Sequence, residues 1–394
     1  MRIVYYTRPS FFDSSLPFVR ALSRKAELHL LLEVAPESWK SGNLNMASPG
    51  LRGGIHPAEP ILRTAFPDAV RQFWQDTASF NLVVHASTRG LHPATWRVGF
   101  EAGRHIHALH PDVVHLDDIS LRLLGSMPFL ARVPLVVSIH DAEAHSGEAN
   151  WRAEAARRLL FALSRTFILH NEVLVSRFRE RYHVSSRRVA VVPLGVYEAT
   201  PAWADGIRIA PEPRTILFFG RLSRYKGLED LYMAAPEIAR RVPGVRIVVA
   251  GRPIAGYRPP IPPELPNGGR IDAHEAYISN EHLCEFFRQA TVVVCPYRDA
   301  TQSGVVLTAY AFGKPVVATA TGGLPEYIDE GRTGLLVPPR NPPALARALI
   351  AILTDTELQA RLASGMARIH TGPLDWDGIV ERHLTLYRGA AAGR

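Results

Sequence analysis

The stretch ILFFGRLSRYKGLEDLYMAA, residues 216–235, decides the fold of its half of the chain. Residues 216–219 form a short apolar run without polar alternation, as in a strand buried on both faces of a parallel sheet. The run ends at Gly220, Arg221 and Lys226 follow, and a helical pattern starts near Leu228. A strand that feeds a helix start through a short glycine-bearing loop aims backbone N–H groups and the helix dipole at one point. Two cations at that point suit a diphosphate, with arginine binding oxygens as a fork and lysine acting as a point charge. An ordinary solvated turn is the alternative reading.

The same kind of run recurs on both sides of this unit. In the first half the runs are 2–6, 28–32, 82–85, 113–116, 135–139, 166–169 and 189–192. In the second half they are 215–218, 246–250, 291–295, 315–318 and 334–337, most of them followed by a longer helical pattern. Such alternation predicts α/β architecture with parallel sheets. The series breaks once, at YEATPAWADGIRIAPEP, which has no clean period. The expected organisation is therefore a first Rossmann-like domain over 1–195, a linker over 196–214, a second Rossmann-like domain over 215–370, and a C-terminal helix and tail over 371–394. The stretches 37–60 and 252–270, the second with six prolines, are expected to be loops. Both doubly wound sheets should bring the carboxyl ends of their strands to a shared cleft.

Composition narrows the function. The chain has 394 residues, 47% hydrophobic and 21% charged, which excludes a disordered or fibrous protein. Two cysteines, Cys284 and Cys295, supply no disulfide framework and no zinc-binding pattern. No uninterrupted apolar run approaches the ~18 residues of a membrane span, and the opening MRIVYYTRPS enters a strand at once, so a cytoplasmic location is expected. The net charge of +8 suits polyanionic partners. Residues 1–195 hold 23 Lys and Arg against 17 Asp and Glu, so most of the excess lies in the first half. That half is expected to meet an anionic membrane leaflet, peripherally and on its inner face, or a phosphate-bearing acceptor, with a merely solvated arginine-rich face as the alternative. No recognition motif accompanies the charge, and nucleic acid is not expected as a partner.

A second segment, VVVCPYRDATQSGVVLTAYAFGKPVVATATGGLPEYI, repeats the strand–loop–helix logic. Ser303 and Gly304 are good helix-start residues, followed by Val305, and their N–H groups can face an anion. Gly322, Gly323 and Pro325 mark another tight turn at the same edge.

With GRLSRYKGLEDL, YISNEHLCEFFRQATVVVCPY, AYAFGKPVVATATGGLPEYIDEGRTGLLVPP and DWDGIVERHLTLYR together, the second half resembles glycosyltransferase family 4. These are retaining, nucleotide-sugar-dependent enzymes of the GT-B fold. SIHDAEAHSGE and the VVPLGV turn extend the resemblance into the first half more loosely. The resemblance implies transfer of a sugar from a nucleotide diphosphate sugar, UDP- before GDP-, to an acceptor hydroxyl with retention. It implies glycan, glycolipid or polysaccharide biosynthesis, a sugar, lipid-linked or small-molecule acceptor, and no metal or other cofactor. It also implies that the C-terminal helix returns to the first domain. Donor contacts would come from Gly220, Arg221, Lys226, Ser303, Gly304, Val305 and Thr308, and His140, Arg221, Lys226 and Asp299 would carry catalysis. The alternatives are a non-catalytic sugar-nucleotide-binding subunit and a GT-B epimerase or hydrolase.

One departure bears on these roles. The family's two glutamates, separated by seven residues, would fall on Ala300 and Thr308, and neither is acidic. Asp299 is the expected partial substitute for the first, and Thr308 the uncharged substitute for the second at the ribose.

In the first half, His140 and Asp141 follow the run 135–139 directly, at the carboxyl edge of a central strand. Together with His145 and Glu148, and with Ser10 and Asp13 in the first βα turn, they are the expected acceptor contacts. His140 could equally be satisfied by backbone, Ser10 and Asp13 could belong to a helix cap, and metal ligation by the His–Asp–His–Glu group is a weaker alternative. Phe11 and Phe12 suit a sugar platform less well than buried packing.

Overall fold

The structure is a computed structural model and describes residues 1–40, 44, 46–140 and 151–393. It divides into two units, Met1–Gly195 with Trp376–Arg394, and Val196–Asp375.

The first unit is built on an eight-stranded sheet of order β3-β4-β2-β1-β5-β6-β7-β8. The strands are β1 (Arg2–Thr7), β2 (Glu27–Val34), β3 (Gly54–Pro57), β4 (Ser79–Val84), β5 (Val113–Asp117), β6 (Leu135–Ile139), β7 (Thr166–Leu169) and β8 (Val189–Val191). All pairings are parallel except the edge pair β3–β4. β1, β5 and β6 are buried along almost their whole length because helices cover both sheet faces. Strand order reverses direction between β1 and β5, which makes the carboxyl ends of those strands the topological switch point.

The C-terminal helix Trp376–Ala392 belongs to this unit. Its buried residues Trp376, Ile379, Val380, His383, Leu384 and Tyr387 recur at three and four, giving one apolar stripe. That stripe packs on the helix Phe12–Ser23 and on β5 and β6. Tyr387 Oη lies 2.6 Å from His115 Nδ1, and Lys25 Nζ donates to Glu381 at 2.8 Å. Gly195 fits beneath Trp376, where an added Cβ would come within 2.5 Å of the indole.

The second unit carries a six-stranded, wholly parallel sheet. Its strands are β9 (Thr215–Phe219), β10 (Arg246–Ala250), β11 (Arg270–His274), β12 (Val292–Cys295), β13 (Val316–Thr319) and β14 (Gly334–Val337). The order β11-β10-β9-β12-β13-β14 is the 3-2-1-4-5-6 winding of a Rossmann sheet, with its switch point between β9 and β12. Ile216, Phe218, Ile247, Val249, Val292, Val294 and Val317 join the helices Leu228–Arg241 and Pro342–Thr354 in one core.

Three features differ from the sequence expectation. The stretch expected to be a linker, 196–214, is part of the second unit: Val196, Tyr197, Thr200, Trp203 and Ala204 are buried, and the 3-10 turn Thr200–Ala204 packs against the helix Asn280–Gln289. The supposed loops 37–60 and 252–270 contain or abut edge strands, β3 and β11. The second unit also runs on to Asp375 rather than 370, so the segment that joins the first unit begins at Trp376 instead of 371.

Candidate active site

In the second unit the switch point gathers most of the expected donor residues. Gly220 follows β9 with φ +116°, and a Cβ built on it would meet Lys226 Nζ and Val305 Cγ2, each at 3.6 Å. The loop after β9 and the start of the helix Gly304–Ala311 therefore converge on one glycine. Ser303, buried, is the residue before that helix and makes no side-chain cap to it. Tyr197, from the stretch expected to be a linker, backs the helix start: a Cβ on Gly304 would lie 2.9 Å from its ring.

Lys226 is only 9% exposed. Its Nζ donates to Tyr297 Oη at 2.7 Å and stands 4.0 Å from the Tyr297 ring centroid. Ser303 Oγ donates to the same phenol oxygen at 3.3 Å. Burial lowers the ammonium to about 8; Cys295 opposes the shift and Arg221 adds to it. The cation is thus held by a hydroxyl and a π face rather than by a carboxylate, which leaves its charge available to an anion. Arg221 is exposed and near enough to Lys226 to repel its charge.

The loop that carries Lys226 is fixed by contacts that sequence reading missed. Arg298 reaches Asp230 with Nε at 3.1 Å and Nη2 at 2.8 Å, a bidentate clamp. The Arg298 backbone N–H donates to the Tyr225 carbonyl at 2.7 Å. This backbone bond ties the turn after β12 to the loop after β9. Gly227 makes the close approach possible. It has φ +66°, and a Cβ there would fall 1.9 Å from the Pro296 carbonyl oxygen.

The two positions that depart from the family pattern are placed differently. Ala300 is buried, and its carbonyl oxygen would lie 1.5 Å from a Cβ on Gly322, so the turn after β13 closes over it. Asp299, one residue away, is exposed, and no hydrogen bond or ion pair joins it to Gly220, Lys226 or Ser303 among the described residues. Thr308 is buried and donates its hydroxyl to the Gly304 carbonyl at 2.9 Å, so toward a ligand it can act only as an acceptor.

The first unit has its own polar centre at the β1/β5 switch point. His140 Nε2 lies 2.6 Å from Asp117 Oδ1, and both side chains are buried. Thr7 donates to Asp117 Oδ2 at 2.7 Å. Ser15 Oγ lies 2.8 Å from both Asp117 Oδ2 and the Phe11 carbonyl and can donate to one at a time. Burial alone would raise the Asp117 carboxyl, but the charge and hydrogen bond of His140, with the bond from Thr7, outweigh it and hold the carboxyl well below the usual carboxylate range. Phe11 stacks on the His140 ring with centroids 3.9 Å apart and planes 11° from parallel. Arg8 stands over the Phe11 ring, its guanidinium 4.9 Å from the centroid, and shares Asp118 with Arg157 at 3.3 and 3.1 Å.

Of the expected acceptor contacts, His140 is therefore part of this centre, Asp13 lies in the first turn of the helix Phe12–Ser23, and Ser10 is exposed just before it. Ser14 donates back to the Phe11 carbonyl, Ser15 lies between that carbonyl and Asp117, and among the described residues no side chain caps the helix N–H groups. Asp141, His145 and Glu148 lie outside the described residues. Among the described residues, no group of three or more His, Cys, Asp or Glu is placed to hold a metal ion, and no helix is long and apolar enough to cross a membrane.

Two Rossmann-type units with polar residues gathered at each switch point define the class as GT-B. Residues 61–199 match the model of Glycosyltransferase Family 4 and residues 213–355 that of Glycosyl transferases group 1, together more than half of the chain. The chain belongs to the GT-B glycosyltransferases of family 4 type.

Its relatives include the D-inositol 3-phosphate glycosyltransferase of Acidothermus cellulolyticus, 34% identical over 229 residues, which are 54% of this chain and 50% of that one. The match thus spans half the length of that relative. The enzyme of the same name from Paenarthrobacter aurescens is 25% identical over 396 residues, 95% of this chain and 93% of that one. Among solved structures, Anabaena Alr3699/HepE in complex with UDP superposes with a TM-score of 0.65 at 17% identity, covering 99% of this chain and 100% of that one. Sucrose-phosphate synthase from Thermosynechococcus elongatus gives 0.66 at 16% identity, covering 100% of both chains. At such identities the structural likeness speaks to fold.

Proposed function

We propose that the protein transfers a sugar from a nucleotide diphosphate sugar, UDP-linked before GDP-linked, to an acceptor hydroxyl with retention of anomeric configuration. The observation that carries this reading is the convergence of Gly220, Lys226 and Val305 beside Tyr297 and Ser303 at the β9/β12 edge. That arrangement offers a buried cation, an exposed arginine and a helix start to a diphosphate. The complex of Anabaena Alr3699/HepE with UDP supports the choice of uridine.

The hard step is departure of the diphosphate, with negative charge growing on its oxygens. Lys226, Arg221 and the N–H groups at Gly304 and Val305 would stabilise that charge without a metal ion. Thr308 would accept a hydrogen bond from a ribose hydroxyl. Asp299, exposed and unattached to the cluster, would contribute only after rearrangement on donor binding. In the first unit, His140, oriented by Asp117 and flanked by Phe11, would contact the acceptor, and Arg8 with Arg157 would favour an anionic acceptor.

A thermal-shift series with UDP, GDP, ADP and dTDP tests the donor reading, since a ligand that binds the native state raises its stability by mass action. UDP is expected to give the largest rise. No rise with any of the four, up to millimolar concentration, would contradict the donor site.

A further inference from the structure

The helix Pro93–Ala108 in the first unit buries Thr95, Val98, Gly99, Ala102, Gly103 and Ile106. Its opposite face is not a typical solvated one. Trp96 and Phe100, one turn apart, are 47% and 50% exposed, and Leu91 just before the helix is 47% exposed. Phe129 packs edge-on against Phe100 with centroids 5.0 Å apart. Glycines seat the helix tightly on the turn Leu121–Ser126: a Cβ on Gly99 would lie 2.7 Å from the Arg122 carbonyl, and one on Gly125 would lie 2.4 Å from the Trp96 carbonyl.

Cations border this apolar stripe. Arg97 and Arg104 are exposed on the same helix, and Arg132 is exposed three residues beyond Phe129. Glu101 is the acidic residue of this helix and lies 3.8 Å from Arg97. No ion pair is found for Arg104 or Arg132 among the described residues.

We propose that Trp96, Phe100 and Leu91, ringed by Arg97, Arg104 and Arg132, form a docking surface for an anionic lipid bilayer. Aromatic side chains with guanidinium groups beside them match the interfacial zone, where rings sit at headgroup level and arginines pair with lipid phosphates. A second copy of the chain fits poorly, because a two-fold contact would set these arginines against themselves. The position also makes sense in the fold. Trp96 lies in the first turn of a helix that follows β4, and helix starts stand at the carboxyl edge of a parallel sheet, the edge that carries Asp117 and His140. Leu91 and Trp96 thus lie toward that edge, while Phe100 and Arg104 follow along the helix and Arg132 stands just before β6 at the opposite edge, so the surface runs the length of the helix. The surface itself does not depend on the donor reading.

Flotation of the full chain with vesicles of phosphatidylcholine alone, and of phosphatidylcholine with phosphatidylglycerol, tests the proposal. Recovery is expected with the anionic vesicles, falling as salt rises. W96A/F100A is expected to lose at least tenfold in partition. R104E/R132E is expected to lose more, at roughly fivefold for each arginine removed. Thermal unfolding of R104E/R132E, whose side chains are exposed, should match the parent, and W96A/F100A, which loses the Phe100–Phe129 contact, should still unfold cooperatively at a modestly lower midpoint. Equal recovery with neutral and anionic vesicles, no recovery with either, or undiminished binding by W96A/F100A would overturn the proposal. So would a dimer in light scattering that W96A/F100A abolishes while the parent ignores vesicles. UDP stabilisation, read in parallel, should be the same in both variants and the parent, which separates this outcome from the fate of the donor site.

Discussion

Lys226 and Tyr297 are joined by a 2.7 Å hydrogen bond, with the ammonium also 4.0 Å from the ring centroid, although the two residues come from loops after different strands. The contact places a buried positive charge at the switch point of the second sheet and fixes where an anion would be met. Tyr297→Phe keeps the ring and removes the acceptor for both Lys226 and Ser303. It is expected to lower stability by about 1 kcal/mol, and to weaken UDP binding several-fold. Urea unfolding and calorimetric titration read the two effects separately.

The same lysine gives a pH signature. Burial lowers its ammonium to about 8 in the folded protein, so above that pH the site loses its charge before any ligand arrives. A bound diphosphate favours the charged form, and binding then takes up a proton. UDP affinity is expected to be flat below pH 8 and to fall by up to about tenfold per pH unit above it. Stability without ligand has the opposite sign. The unfolded chain holds this proton up to an ordinary lysine value, so stability rises from about pH 8 toward that value. Lys226→Arg should remove the slope in affinity, and titration calorimetry from pH 7 to 9.5 checks it.

Acid should act on the first unit. Burial lowers His170 to about 3 and His383 to about 4, and His115 well below its usual value. Each is neutral when folded and takes a proton when unfolded, so the stability they contribute is complete above about pH 6.5 and falls as pH drops toward the folded values. The loss is about 1.4 kcal/mol per pH unit for each histidine. His383→Leu is expected to flatten the acid slope of unfolding seen by circular dichroism, because His383 lies in the C-terminal helix packed on Phe18 and His115.

Two glycines with the same left-handed φ of +66° should respond differently to alanine. At Gly313 nothing lies within 4 Å of the added Cβ, and the cost is about 1 kcal/mol of backbone strain. At Gly227 the Cβ would fall 1.9 Å from the Pro296 carbonyl, so Gly227→Ala must push apart the two loops that hold Lys226. It is expected to cost several kcal/mol and to abolish stabilisation by UDP, while Gly313→Ala keeps it. Thermal melts with and without UDP compare the pair.

The strands legible in the sequence are those buried on both faces, such as β9 and β10, whose apolar runs have no other explanation. β3 and β11 were illegible because they are short edge strands: GIHP pairs on one side, and RIDAH is exposed or half-exposed along its length. The stretch 196–214 hid its packing for a different reason. Its anchors Tyr197, Thr200 and Trp203 have neither strand nor helix spacing, since a 3-10 turn carries them. At the site, Gly220, Lys226 and Ser303 were readable from local strand–helix chemistry. Tyr297, Arg298 and Asp117 were not, because each acquires its role from partners distant in the chain: Lys226, Asp230, and Thr7 with His140.

The central claim is that the β9/β12 edge binds a nucleoside diphosphate through Lys226 and Arg221, and the dissociation constant of UDP measured by calorimetry for the parent and for Lys226→Met tests it most directly. A charge-assisted bond to phosphate contributes roughly 1.5–3 kcal/mol, so Lys226→Met is expected to bind UDP at least tenfold more weakly. Its thermal stability without ligand should be equal to or above the parent's, because a buried cation is removed. An unchanged dissociation constant in a folded Lys226→Met protein would contradict the account.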